Sequence, residues 1–118
     1  MPENFQEFRA RRKKGNDRVL ATENKNIKRF FALDTAAYRD GALSRETKEL
    51  LGLAASMVLR CNDCIDYHLE QCVDAGISDE ALEEAMNVSL IVGGSIVIPH
   101  LRHARLSLDA LFEEKANS

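Results

Sequence analysis

The sequence predicts an all-α protein, a bundle of about six helices, and three features support that prediction. Apolar residues recur at three- and four-residue intervals along most of the 118 residues, as they do on one face of a helix. No segment alternates apolar and polar residues for long enough to indicate a half-buried strand. Ser44 and Ser78 each precede acidic residues and an apolar-periodic segment, which is typical of a helix N-terminus.

Two helices are predicted in the N-terminal third of the chain. The first runs from Pro2 to about Lys14, since proline is tolerated in a first turn, and Gly15-Asn16-Asp17 is expected to end it. The second runs from about Glu23 to Tyr38, and Gly41 follows it as a C-terminal stop. Its apolar side contains five residues: Ile27, Phe30, Phe31, Leu33 and Ala37.

The third and fourth helices follow closely on each other. Ser44 is predicted to cap a helix from Arg45 to about Leu59, with Glu46 near the positive end of its dipole. Five residues of this helix form a strong buried stripe: Leu50, Leu53, Ala54, Met57 and Val58. The next helix is expected to begin around Cys61–Asn62 and to end near Ala75, before Gly76.

The last two predicted helices are separated by a pair of glycines. Ser78 caps the fifth helix, and Gly93-Gly94 interrupts it. The apolar run from Val88 to Ile98 is interpreted as a buried helix pair around that break rather than as a strand. Pro99 is expected in or near the first turn of the last helix, which reaches about Glu114, and the tail from there is expected to fray.

The composition is that of a folded chain that fits one domain over residues 1–118. It is 45% hydrophobic and 30% charged, with a formal net charge of −3. This balance argues against a general nucleic-acid binder, which is usually strongly basic. A local basic cluster is interpreted as a solvated helix face or subunit contact, with phosphate or nucleic-acid binding as the alternative: Arg9, Arg11, Arg12, Lys13 and Lys14.

The expected location is the cytoplasm, away from the membrane. The N-terminus is polar and lacks the apolar core of a signal peptide, and no stretch approaches the roughly 20 apolar residues of a membrane span. Three cysteines do not make a disulfide framework. Cytoplasmic cysteines stay reduced unless they do redox work or hold a metal, so a CxxC pair in this chain is informative.

The segment from Cys61 to His68 indicates thiol–disulfide chemistry. Cys61 and Cys64 are three residues apart at a predicted helix start, where two sulfurs can come within disulfide range. A thiol there faces unpaired N–H groups and the positive dipole end, which lowers its pKa and favours the reactive thiolate. His68 lies one turn after Cys64 and can accept the thiol proton.

A structural zinc site is the alternative interpretation of the cysteine pair. It would take further ligands from His68, His100 and His103, but a second CxxC is absent from the sequence. His100 and His103 are otherwise expected at an interface or on a helix surface, and Cys72 is expected to be a buried small hydrophobe. We predict no bound metal and no cofactor.

At these residues the chain resembles the AhpD-like branch of the carboxymuconolactone decarboxylase superfamily. Four residues at fixed spacings carry the resemblance: Glu49, Cys61, Cys64 and His68. The flanking segments 46–51 and 75–80 and the Gly93-Gly94 break are also similar to that family. The resemblance covers roughly 43–110, which leaves residues 1–40 as an N-terminal helical extension.

The resemblance implies a homo-oligomer, trimer or hexamer, and a peroxidase or disulfide reductase. Its substrate would be a hydroperoxide or a disulfide, and its electron donor a dithiol. Glu49 would be the general base of a proton relay, with His68 orienting or deprotonating a thiol. Cys64 and Cys61 would form the redox pair. The family's usual assignment has Cys64 attacking the peroxide, whereas the helix dipole alone makes Cys61 an equally good nucleophile.

Two features leave other functions open. Asp63 stands where founding alkylhydroperoxidases have a histidine, and a carboxylate close to Cys64 would raise its thiol pKa. The family also contains decarboxylases, although they lack the cysteine pair, whose presence here argues against lactone decarboxylation. The alternatives to a peroxidase are therefore a lyase acting on a small lactone or organic acid, and a non-enzymatic module that senses redox state or binds zinc.

Overall fold

The computed structural model describes residues 3–118, and over that range it contains α-helices, one 3₁₀ turn and no strand. The bounds in chain order are α1 Phe5–Leu20, α2 Lys25–Ala37, α3 Arg45–Val58, α4 Asn62–Asp74, α5 Asp79–Gly93, the 3₁₀ turn Ser95–Val97 and α6 Ile98–Ala116. The predicted all-α class with about six helices is confirmed. None of these helices is long and apolar enough to cross a bilayer.

The chain divides near residue 39 into two compact units, of which the second is Asp40–Ser118. The first unit holds α1 and α2. Asn4 caps α1 reciprocally with Glu7: the Glu7 N–H donates to Asn4 Oδ1 at 2.8 Å, and the Asn4 N–H donates to the Glu7 carboxylate at 3.3 Å. Asn24 caps α2 in one direction only, since its Oδ1 accepts the Asn26 N–H at 3.0 Å and the Ile27 N–H at 3.3 Å. The single domain over 1–118 stays a prediction.

The predicted end of the first helix at Gly15-Asn16-Asp17 is wrong, because α1 continues to Leu20. One glycine costs a helix only about 1 kcal/mol relative to alanine, which a 16-residue helix tolerates. An ion pair between Lys13 and Asp17, one turn apart, also spans the segment. The helix begins at Phe5, and the predicted start at Pro2 lies outside the described residues.

The second unit is built around α3, which packs against α4 and α5, while α6 packs against α4. The predicted caps are present: Ser44 Oγ accepts the Thr47 N–H, and Ser78 Oγ accepts the Ala81 N–H, each at 3.2 Å. The core of this unit is formed by fully buried side chains that include Leu53, Met57, Ile65, Leu69, Leu82, Met86 and Leu108.

The apolar run from Val88 to Ile98 is helical as predicted, but it is mostly exposed rather than buried. The inner face of α5 is already occupied by Leu82, Met86 and Ser89, at helical spacing. The intervening residues therefore point outward, and Ile91 is 77% exposed. The exposed apolar residues of this segment are Val88, Ile91, Val92, Ile96 and Ile98.

The Gly93-Gly94 break is present, and each glycine has a separate reason. A Cβ on Gly93 would collide with the Val97 side chain, so glycine permits the 3₁₀ turn to fold back on α5. Gly94 has a φ of +80°, which favours glycine. Pro99 lies in the first turn of α6, as predicted. The tail expected to fray from Lys115 is helical through Ala116.

We expect Gly15→Ala to stabilise the protein by about 1 kcal/mol, because Gly15 lies inside α1 and nothing lies within 4 Å of an added Cβ. Thermal unfolding followed by circular dichroism should show a midpoint about 4 °C higher. The matched substitution Gly76→Ala also adds a methyl group in open space, but at a φ of +84°. It should destabilise the fold by about 1 kcal/mol. Equal shifts of the midpoint in the two variants would show that backbone conformation does not distinguish these glycines.

Candidate active site: a cysteine pair beside a buried imidazole and carboxylate

A tight connection between α3 and α4 fixes the position of Cys61. The Arg60 N–H donates to Met57 O at 3.0 Å, and the Cys61 N–H donates to Ser56 O at 3.1 Å, which closes the C-terminus of α3. Arg60 adopts a φ of +61°, the left-handed conformation that this type of helix end requires. The chain turns directly into α4, of which Cys61 is the N-cap.

Cys61 and Cys64 form a disulfide, with their Cα atoms 5.3 Å apart. Cys61 Sγ also accepts the Cys64 N–H at 3.3 Å, so the sulfur takes the place that a serine oxygen usually fills at a helix start. Cys61 is half-buried and Cys64 is exposed. When the bond is reduced, both sulfurs lie at the positive end of the α4 dipole, which stabilises a thiolate.

Glu49 of α3 and His68 of α4 form a close contact, and His68 lies on the same helix as Cys64. His68 Nδ1 lies 2.8 Å from Glu49 Oε1. The Glu49 side chain is 3% exposed and that of His68 is 12% exposed. With Glu49 ionised, the Nδ1–H donates to the carboxylate, which fixes the ring and places the basic Nε2 on its opposite edge. His68 follows Cys64 by four residues, one turn of α4, so the two side chains lie on the same side of this helix.

Arg45 links this contact to the surface. Its Nε lies 3.9 Å from Glu49 Oε2, and its guanidinium donates to Gln71 Oε1 at 2.8 Å. Arg45 is half-exposed, whereas Glu49 is buried, so the arginine supplies positive charge to a carboxylate that little water reaches. Arg45, Glu49 and His68 make a continuous polar path from solvent to the imidazole.

Cys72 is buried one turn after His68 and is a free thiol, as predicted. Desolvation by burial, helped by the negative charge of Glu49, raises the pKa of Cys72 to about 12. The group therefore stays protonated near neutral pH and does not compete with the paired cysteines as a nucleophile.

The two histidines of α6 face the start of α4. His100 Nδ1 lies 2.8 Å from Asn62 Oδ1, and His103 Nε2 lies 3.0 Å from both Asp66 oxygens. Neither contact was predicted, because it joins residues nearly forty positions apart and neither member has a local pattern. Between residues 3 and 118, no three histidine, cysteine, aspartate or glutamate side chains are grouped so that they could hold a metal ion.

The structure thus brings all four predicted site residues into two neighbouring pairs, Cys61 with Cys64 and Glu49 with His68. Their catalytic roles stay a prediction. Of these four residues, Glu49 could not be predicted from helical periodicity alone, since a single glutamate would be interpreted as a surface charge. Its burial depends on the packing of α3 against α4, which no local pattern reveals.

Comparison with known proteins identifies relatives along most of the chain. The model of the carboxymuconolactone decarboxylase family matches residues 25–105. An uncharacterised protein of the cox locus of Paracoccus denitrificans is 30% identical over 70% of this chain and 74% of its own. The alkyl hydroperoxide reductase AhpD of an Anaeromyxobacter species is 34% identical over 48% of this chain, but that stretch is 30% of the longer relative.

A solved structure is closer in sequence. A family member from Thermotoga maritima, whose name suggests a part in the antioxidative response, is 54% identical. The two folds superpose with a TM-score of 0.89 over 93% of each chain. With the family match over residues 25–105 and the AhpD relative, this shows that the chain belongs to the carboxymuconolactone decarboxylase family, in its AhpD-like branch.

Proposed function

We propose that the protein is a thiol-dependent peroxidase, which reduces hydroperoxides at Cys64 and is recycled through the Cys61–Cys64 disulfide. One observation carries the proposal: the bonded pair lies at a helix N-terminus, one turn from an imidazole that a buried carboxylate holds. The AhpD relative and the name of the Thermotoga maritima protein support the same chemistry.

The cycle uses the different exposure of the two sulfurs. The Cys64 thiolate attacks a hydroperoxide oxygen, the S–O bond forms, the O–O bond breaks, and an alcohol leaves after taking a proton. The Cys61 thiol then attacks the sulfenic sulfur, the S–S bond forms and water leaves. A dithiol donor returns two electrons and two protons. Cys64 is assigned the first attack because it is exposed, whereas Cys61 is half-buried at the cap.

Glu49 and His68 supply the protons that this cycle moves. His68 accepts the Cys64 proton and returns it to the leaving alkoxide, so the imidazole alternates between neutral and charged forms. Glu49 stabilises the charged form, because its buried carboxylate lies 2.8 Å from Nδ1. Arg45, at the outer oxygen of Glu49, favours an ionised carboxylate in a buried place.

We also propose that the chain acts as a homo-oligomer, a trimer or hexamer. The support is the outward-facing apolar run of α5 and the 3₁₀ turn, which includes Val88, Ile91 and Ile96. Exposed apolar residues grouped in this way are typical of a surface that another protein covers. The cytoplasmic location and the identity of the dithiol donor stay predictions.

Substitution of the cysteines tests the cycle. Cys64→Ser should abolish hydroperoxide consumption, since serine cannot form a thiolate at neutral pH. Cys61→Ser should consume about one equivalent of hydroperoxide per chain and then stop, with a sulfenic acid at Cys64 that mass spectrometry detects. Cys72→Ala is the matched control and should keep the wild-type rate, because Cys72 takes no part in the cycle.

Three outcomes would contradict a peroxidase. Full activity in both Cys61→Ser and Cys64→Ser would remove the thiols from the mechanism. Reversible oxidation without turnover, measured with dithiothreitol as the donor, would make the protein a redox sensor. Conversion of a small lactone or organic acid that survives loss of both thiols would make it a lyase.

Glu49→Gln should lower kcat/KM for hydroperoxide about 100-fold or more, because the neutral amide cannot stabilise the charged imidazole. Glu46→Gln is the matched control, since Glu46 is exposed on the same helix and should leave the rate unchanged. Stopped-flow oxidation of the reduced protein across pH measures both. An unchanged rate in Glu49→Gln would exclude Glu49 from the relay.

Cys72 reports independently on the charge of Glu49. The negative carboxylate contributes to a pKa of about 12 for this thiol, so Glu49→Gln should lower the Cys72 pKa. Thiolate absorbance is measured between pH 9 and 12 in Cys61→Ser/Cys64→Ser protein. Subtracting the same titration of protein that also carries Cys72→Ala removes the tyrosinate signal of Tyr38 and Tyr67 and leaves that of Cys72. No change would indicate that Glu49 is uncharged in the native protein.

A further inference from the structure

We propose that His103 and Asp66 form a second imidazole–carboxylate pair, whose positive member offsets the negative charge on the helix that carries the reactive cysteines. His103 is then a positioning residue for the redox chemistry, and this inference rests on the proposed function. It concerns the side of α4 that faces α6, whereas Glu49 and His68 meet where α4 faces α3.

The contact is close and partly shielded from water. His103 Nε2 lies 3.0 Å from each oxygen of Asp66, and Ser107 Oγ lies 3.5 Å from the same nitrogen. The Asp66 side chain is 13% exposed and that of His103 is 35% exposed. Because an aspartate with little access to water is costly to ionise, a cationic partner at this distance favours the ion pair.

Without that partner, the charges on the first turns of α4 would oppose thiolate formation. Asp63 immediately precedes Cys64 and Asp66 follows it by two residues. Each carboxylate near a thiol favours the protonated thiol and raises its pKa. A protonated His103 cancels one of these two negative charges. Asp63 therefore need not prevent reaction at Cys64, although it replaces the histidine of the founding enzymes.

The protonation of His103 follows from its surroundings. The hydrogen bond to Asp66 raises the pKa of His103 above its ordinary value, desolvation opposes this, and the charges of Asp66 and Asp63 add to the rise. A raised value means that the ion pair is fully present below about pH 6.5 and is lost as pH rises through the raised pKa. The support for the thiolate should weaken over the same range.

The other groups packed around His103 do not replace it. The 3₁₀ turn, Ser95–Val97, has no titratable side chain, and His100 contacts the neutral amide of Asn62. Arg105 of α6 pairs with Asp79 and Glu83 of α5 and with Asp109 of its own helix, which form a separate cluster. Glu84 of α5 lines a pocket beside Arg105.

The expected size of the effect follows from distance. Residues two apart on a helix point about 200° from each other, so Asp66 and Cys64 lie on different faces of α4. The pair therefore acts through space over roughly 10 Å, the diameter of a helix with its side chains. At that separation one unit charge changes a thiol pKa by about half a unit to one unit.

The test is the rate of alkylation of Cys64 by iodoacetamide in reduced protein, measured against pH and resolved by mass spectrometry. His103→Gln leaves the Asp66 charge uncompensated, so the Cys64 rate at pH 6, where the ion pair is present, should fall about three- to tenfold. Adding Asp66→Asn in that background removes the uncompensated charge and should restore the rate. Asp66→Asn alone should not slow alkylation.

The matched control is His100→Gln, which removes an imidazole of the same helix from a neutral partner and should leave the rate near that of the wild type. An unchanged Cys64 rate in His103→Gln, or a double variant as slow as the single one, overturns the proposal. If His103 and Asp66 only stabilised the fold, the double variant would be as slow as His103→Gln. Alkylation needs no hydroperoxide, so the two proposals can fail separately. If the variants follow this pattern but the wild-type protein consumes no hydroperoxide, the peroxidase is refuted and this inference stands.

Discussion

The site depends on the way one residue both closes a helix and opens the next. Cys61 donates its N–H to the end of α3 and accepts the Cys64 N–H at the start of α4. Arg60 must take a left-handed conformation for the chain to turn so sharply. The two sulfurs therefore have little conformational freedom. The three-residue separation that brings them together also lets Cys61 Sγ accept the Cys64 N–H and cap α4.

The same turn brings α3 alongside α4 and so determines where Glu49 meets His68, the pair proposed as a proton relay. Glu49 is nine-tenths or more buried, and leaving such a carboxylate unpaired would cost several kcal/mol. His68 on one oxygen and Arg45 near the other compensate that cost. Burial of the Cys72 thiol itself is the main cause of its raised pKa, and the negative charge of Glu49 adds to it, so this cysteine differs from the pair at the helix start.

Local patterns predicted the parts of this structure that local chemistry determines. Ser44 and Ser78 cap α3 and α5 as predicted, α4 begins within the predicted start at Cys61–Asn62, and Gly94 ends α5 with a positive φ. One failure is the end of α1, which continues through Gly15, and another concerns which face of α5 is buried. The Val–Ile run of α5 faces outward because Leu82 and Met86 already fill its inner face, and hydrophobicity alone does not distinguish the two faces.

Contacts between distant helices account for the rest, and they give α4 two chemically distinct sides. His68 and Asp66 are two residues apart, so they point to nearly opposite faces, the first toward Glu49 of α3 and the second toward His103 of α6. In the first pair α4 supplies the imidazole and α3 supplies the carboxylate. In the second pair α4 supplies the carboxylate and α6 supplies the imidazole. A proton relay needs an imidazole within hydrogen-bond reach of the thiol, and a histidine one turn away on the same helix is placed for this. Compensation of charge requires only a cation near carboxylates that the helix already carries, which is why a histidine from the far end of the chain can provide it.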